Sequence, residues 1–177
     1  MPRVNRVSKA RKAQGSCSCG STIGVGDSYK WIKFRYGGRR VKCSKCEFKR
    51  SELTRSAYLS QGYDLEDRFA SIAVSFERCG DGSLDFSDMQ SDMGDVASEF
   101  GALGEEQEES RDAMPESLQG GDVGTMLEER SSACLSLQEE IESAAGSLDE
   151  IEESLSDEEI EDEARSILES VSFDWEV

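Results

Sequence analysis

The chain has 177 residues, with 20 Lys and Arg, 38 Asp and Glu, no histidine and a formal charge of −18. That length excludes a large multidomain enzyme and suits one ordinary domain, or a small module joined to a second element. The missing histidine excludes the His-containing hydrolytic metal sites and the Ser-His-Asp constellation.

The charge is segregated. Residues 1–56 hold 15 of the 20 basic side chains and only three acids, Asp27, Glu47 and Glu52, which leaves five basic and 35 acidic residues for 57–177. The first segment carries +12 and the second −30. A basic part attracts polyanions, whereas an acidic part repels or imitates them. The change falls near Leu59 to Asp64. No stretch approaches the roughly 18–20 apolar residues of a membrane span, and the start has positive charge without the apolar core of a secretory signal. The expectation is a soluble, intracellular protein without membrane association, in a compartment where paired cysteines are more often metal ligands than disulfides.

In chain order, residues 1–15, with Arg3, Arg6, Lys9, Arg11 and Lys12, read as a basic flexible arm. Residues 16–60 read as a zinc-ribbon module. It carries two close thiol pairs, Cys17-x-Cys19 and Cys43-x-x-Cys46, separated by a hairpin-length insert. Each pair fits a tight turn, and a hairpin between them would bring the turns together around one tetrahedral ion. Zn2+ held by four thiolates is the principal expectation; free thiols, redox pairing or a rubredoxin-like iron are the alternatives, because a four-sulfur set alone does not separate iron from zinc. Gly20 after the second cysteine suits a sharp backbone knuckle.

Between the pairs, "DSYKWIKFRY-GG-RRVKC" reads as a β-hairpin with a tight Gly37-Gly38 turn. Alternation places Ile32, Phe34 and Tyr36 on one face and Tyr29, Trp31, Lys33 and Arg35 on the other. The interleaving of charge and aromatics suits phosphate contact by Lys30, Lys33, Arg35, Arg39, Arg40 and Lys42, with bases stacking on Trp31 or Tyr29. The plainer alternative is an aromatic mini-core with a solvated basic face, or one docked on the chain's own acidic half.

The acidic half reads as helical. Leu65, Phe69, Ile72, Phe76 and Cys79 step by four and three behind an Asp64 N-cap, and Phe86, Met89, Met93, Val96, Phe100 and Leu103 repeat the stepping as far as Gly104. Residues 61–104 are therefore expected to form an amphipathic helical hairpin, with Cys79 in a buried stripe. Residues 105–121 read as a helix end plus linker. Residues 122–177 read as an acidic coiled-coil or helical region: Leu127, Cys134, Leu137, Ile141, Ala144, Leu148, Ile151 and Leu155 take a/d-like positions, with Gly146 as a kink, and Ser156-x-x-Glu159 is a capping box opening a last helix. "DGSLDFSDMQSD", read from Asp81, lacks the central glycine and terminal glutamate of a calcium loop. Adjacent glutamates on helices point in different directions, and no catalytic apparatus is visible.

The stretch "SKARKAQGSCSCGSTIGVGDSYKWIKFRYGGRRVKCSKC", with "RSELT" after it, resembles small zinc-finger proteins of tailed bacteriophages. The resemblance covers roughly residues 6–60. Those proteins are similar in their N-terminal part to the poly(ADP-ribose) polymerase-type zinc finger, through the first cysteine pair, Ile23 to Tyr29 and the basic-aromatic strand. That finger has a His-x-x-Cys second pair, whereas Cys43 stands at the histidine position here. The resemblance implies a phage origin, a host-cell cytoplasmic location and a metal site, without a mechanism.

The fold class expected is thus small α+β: a four-cysteine zinc ribbon followed by an acidic helical bundle or coiled coil. The functional expectation is a non-enzymatic adaptor that contacts nucleic acid or a nucleic-acid-handling complex, with acidic helices for protein interaction or homodimerisation. The other reading is a DNA-mimicking inhibitor of a basic host protein, in which the ribbon is structural.

Overall fold

The computed structural model describes residues 2–176. It is a small α+β protein, with short antiparallel sheets first and helices after them. It divides into two compact units, Met1–Tyr63 and Asp64–Val177. The division lies inside helix α1 (Ala57–Phe69), at the residue where the run of acids begins. The first unit carries all seven lysines; the second has 35 acids, five arginines and no lysine.

In the first unit, strands β1 (Asn5–Val7), β4 (Tyr29–Lys33) and β5 (Arg39–Cys43) form an antiparallel sheet in the order β1-β4-β5. Val7 faces Tyr29, and Tyr29 in turn faces Cys43. Strands β2 (Gly15–Ser16) and β3 (Thr22–Ile23) make a separate small hairpin. Residues 1–15 therefore do not behave as a free arm over their described length. Residues 5–7 are the third strand, and Ala10 is buried, donating its N–H to Asp27 O at 2.7 Å and accepting from Gly26 N at 2.8 Å. A strand of three residues, Asn5–Val7, has too short a pattern to stand out from the basic stretch around it.

The β4–β5 hairpin is present, with a wider loop than a two-residue Gly-Gly turn. Lys33 pairs with Arg39, and residues 34–38 form the tip, closed by Phe34 N–H donating to Gly38 O at 3.2 Å. Gly37 and Gly38 both take positive φ, at 95° and 80°, which L side chains rarely adopt. Phe34 and Tyr36 thus lie outside the ladder, and strand alternation does not govern them. Within it, Tyr29, Trp31, Val41 and Cys43 share a face with Val7, Ala10, Cys17 and Ile23. Ile32 is fully buried on the opposite face.

In the second unit, strands β6 (Glu77–Arg78) and β7 (Leu84–Asp85) form a hairpin, followed by α2 (Ser87–Asp112), α3 (Glu116–Gln119), α4 (Asp122–Ser147) and α5 (Asp157–Ser170). The helix expected over residues 64–79 is not formed as such. Helix α1 starts earlier, where the Ser56 hydroxyl accepts from Leu59 N at 3.3 Å, and ends at Phe69. Cys79 is exposed in the β6–β7 turn and is no core residue. Cys134, by contrast, is fully buried.

Helix α2 continues past Gly104 through part of the expected linker. Its antiparallel partner is α4: Gln90 Nε2 reaches Ala145 O at 3.1 Å near one end, and Arg111 meets Glu128 at 3.3 Å near the other. Glycine makes the close approach feasible, since a Cβ at Gly104 would lie 3.1 Å from Ser131 O and 3.2 Å from Cys134 Cβ. The α5 capping box forms as read, with Ser156 Oγ accepting from Glu159 N and Ser156 N donating to Glu159 Oε2 at 2.9 Å. After α5 the chain folds back and buries Trp175 completely beside Phe100, 6.1 Å between ring centroids. No helix among the described residues is long and apolar enough to cross a membrane.

Candidate metal centre and basic face

The four cysteines of the first unit converge. Cys17 and Cys19 sit in the β2–β3 turn, where Cys17 N–H donates to Ser21 O at 2.8 Å and Gly20 N–H returns to Cys17 O at 2.9 Å. Gly20 closes this turn at φ 85°, so a one-residue spacer still aims two thiols at one point. Cys43 ends β5, and Cys46 follows in a turn closed by its N–H donating to Cys43 O at 3.3 Å. All four Sγ atoms lie within 4.8 Å of one another, and Cys19 Sγ is 3.7 Å from Cys43 Sγ.

That spacing tests the fit of an ion. Four sulfurs at about 2.3 Å from a tetrahedral centre lie about 3.8 Å apart, whereas a disulfide needs about 2.05 Å. None of the cysteines is in a disulfide, and the sulfur spacing fits a tetrahedral thiolate site. The electrostatics point the same way. Backbone hydrogen bonds at Cys19 and then at Cys43 hold the Cys17 thiol down at about 6, against the opposing effect of burial. The Ser21 hydroxyl, then its N–H, lowers Cys19. Cys46 is instead pushed up to about 12 by the sulfurs of Cys43, Cys19 and Cys17. Assembled thiolates repel, and the last proton leaves with difficulty until a cation offsets the charge. Among the described residues this is the one cluster of metal-ligating side chains.

The β6–β7 turn has the same backbone pattern: Cys79 N–H donates to Ser83 O at 2.8 Å, and Gly82 N–H to Cys79 O at 2.9 Å. There Asp81 occupies the place of Cys19, and its carboxylate is held below the ordinary range by the Ser83 hydroxyl and N–H.

The basic residues of the hairpin separate into two sets. Lys30 and Lys42 are only 6% and 7% exposed. Lys30 Nζ donates to Cys46 O at 3.1 Å and pairs with Glu47, and Lys42 Nζ donates to Glu47 O at 2.9 Å and pairs with Glu52. Arg40 is exposed but donates to Glu52 O at 2.8 Å and stacks on Phe34 at 5.5 Å. Their chemistry is directed at the segment after Cys46, where the ammonium groups satisfy carbonyls that would otherwise be stranded. Two of the unit's three acids neutralise its two buried lysines. Those acids, five residues apart just after the last cysteine, were the sequence signal for this pairing.

Lys33, Arg35 and Arg39 form the second set and are exposed. Arg39 lies over Trp31 at 4.8 Å and over Tyr29 at 5.6 Å, and it donates to Tyr29 Oη at 3.1 Å. Val7, Tyr29, Trp31, Lys33, Gly38 and Arg39 line a shallow open groove on this face. Tyr29 is buried and Trp31 half-buried, so their rings belong to the mini-core while Arg39 covers them. Compared with known proteins, the chain matches no family model, no curated protein and no solved structure.

Proposed function

We propose that the protein is a non-enzymatic zinc-binding adaptor whose basic first unit contacts nucleic acid, alone or within a nucleic-acid-handling complex, while the acidic helices engage a protein partner or a second copy. One observation carries this reading: the change of charge coincides with the boundary between compact units, so a unit of +12 built around four thiols adjoins a unit of −30 built from helices. Zinc is the ion that structural all-cysteine sites of this ligand set most commonly hold. Bound there, it would tie the β2–β3 turn to the end of β5, a structural task.

The nucleic-acid surface in this reading is the exposed set, Lys33, Arg35 and Arg39, together with Arg3, Arg11 and Lys12. Lys30 and Lys42 contribute through the scaffold. Phosphate contact by a few such cations gives binding that weakens steeply with salt. A mobility-shift titration of the full-length protein against DNA and RNA, repeated at rising salt and after chelation, tests it. Binding that falls with salt and disappears with the metal supports the adaptor; no shift at low salt removes it.

The second reading is a polyanion mimic that occupies a basic groove of a host protein. The complete absence of lysine among 35 acids in the second unit favours it. It requires that the full-length protein leave nucleic acid unbound and compete with it for a basic partner. The resemblance of residues 6–60 to phage zinc-finger proteins suits either reading.

A further inference from the structure

We propose that the β4–β5 tip is a stacking platform for unpaired bases, with Tyr36 as the residue that receives the base. The inference rests on the nucleic-acid reading above and narrows it to single-stranded nucleic acid. Tyr36 is 83% exposed, the most exposed large apolar side chain among the described residues. A hairpin tip is ordinarily polar, and nothing in the local backbone demands an aromatic residue there, since the left-handed positions are the two glycines that follow.

The tip is also held in one shape. Besides the Phe34–Gly38 closure, Gly37 N–H donates to Phe34 O at 3.3 Å, and Arg55 NH1 donates to the carbonyls of Tyr36 at 3.1 Å and Gly37 at 3.3 Å. Beneath it, Arg40 stacks on Phe34. The Arg35 guanidinium lies 5.5 Å from the Tyr36 ring centre. A ring presented on a pre-formed loop has already lost the freedom that a ligand would otherwise have to take from it.

Cations flank this ring, with Lys33 and Arg35 exposed at the same end of the hairpin and Arg39 opposite Lys33 in the ladder. Charge of this sign selects a phosphate backbone, and an aromatic ring left largely exposed, with Arg35 over it, selects a base that is free to leave its neighbours. Bases inside a duplex have no free face, whereas those of a single strand do. The combination points to a single strand rather than to a duplex groove.

The test uses the full-length, zinc-loaded protein with a labelled oligothymidine and a labelled mixed-sequence duplex, read by fluorescence anisotropy. Tyr36→Ala should weaken oligothymidine binding about tenfold. Tyr36→Trp should retain it. Because no charge is removed, the slope of affinity against salt should be unchanged. If the wild-type protein binds oligothymidine and Tyr36→Ala binds it equally well, or if the duplex is preferred and loses as much on substitution, the stacking platform is overturned while the nucleic-acid reading stands. If the wild-type protein binds neither probe at low salt, the broader reading fails and this inference with it.

Discussion

Residues 1–63 bury Ala10, Cys17, Ile23 and Tyr29 against Cys43 and Cys46, with Ile32 buried on the other face of the sheet, whereas residues 64–177 bury Met89, Met93, Val96, Phe100, Leu137, Ile141, Leu148, Ile160 and Trp175 in a helical core. The first unit has little apolar area to bury, and at this size a core alone rarely suffices. The second has a conventional interior and must offset the self-repulsion of its acids. One part of the chain gathers four thiols that could hold a metal ion and is tied by charge-assisted hydrogen bonds, whereas the other is held by the removal of hydrocarbon from water. Each perturbation below should therefore affect one unit and spare the other.

Metal removal has the largest expected effect. Coordination of a structural zinc contributes on the order of 10 kcal/mol to such folds. Chelation of the full-length protein, or Cys43→Ser, should abolish amide protection in β4 and β5 while α2 and α4 remain protected in hydrogen exchange. Equal loss of protection in both units would erase the distinction. Trp31 and Trp175, one in each unit, allow the same comparison by fluorescence.

Phe100→Ala is the reciprocal test. This ring is fully buried between Phe173 and Trp175. Its loss should cost about 3–5 kcal/mol in urea unfolding followed by helical circular dichroism. Zinc content per chain should not change.

Gly124→Ala comes next. A Cβ there would fall 1.9 Å from Gln119 O, a backbone atom, so the turn before α4 must shift. The strain, about 1–3 kcal/mol, should outweigh the roughly 1 kcal/mol that alanine gains over glycine within a helix. A thermal melt showing stabilisation would refute the close approach.

The smallest effect is at the α5 cap. Ser156→Ala should cost about 1 kcal/mol. The Ser156 hydroxyl, then its N–H, holds the Glu159 carboxyl below its ordinary range. That contribution is fully present above the unfolded carboxyl value and is lost as pH falls through the lower folded one. The gap between wild type and Ser156→Ala should therefore narrow under acid without closing, because the hydroxyl still accepts from Glu159 N–H when the carboxyl is protonated; urea midpoints at stepped pH measure this.

Much of this architecture was legible in the residues, for identifiable reasons. Two cysteine pairs, a glycine after one of them and a β-forming run between them leave few geometries, and the four sulfurs meet as that pattern implies. The capping box at Ser156 is a local device and formed where it was read. The stripe over residues 64–79 fits a period of two as well, through Ile72, Val74 and Phe76, and the chain there leaves the helix after Phe69 and runs without regular structure to the short strand Glu77–Arg78. Gly104 looked like a helix stop, but its role is set by how closely α4 approaches, which no single-segment pattern records. The roles of Lys30 and Lys42 were obscured for a similar reason: a charge on a strand reads as solvated until its acidic partner is seen.

Those two lysines give the molecule an unplanned property. Side-chain amines are confined to the first unit, and two of the seven are shielded while it stays folded. An amine-directed reagent would therefore mark only that end of the protein, and modification at positions 30 and 42 would record how often the unit opens, without any label having to be engineered.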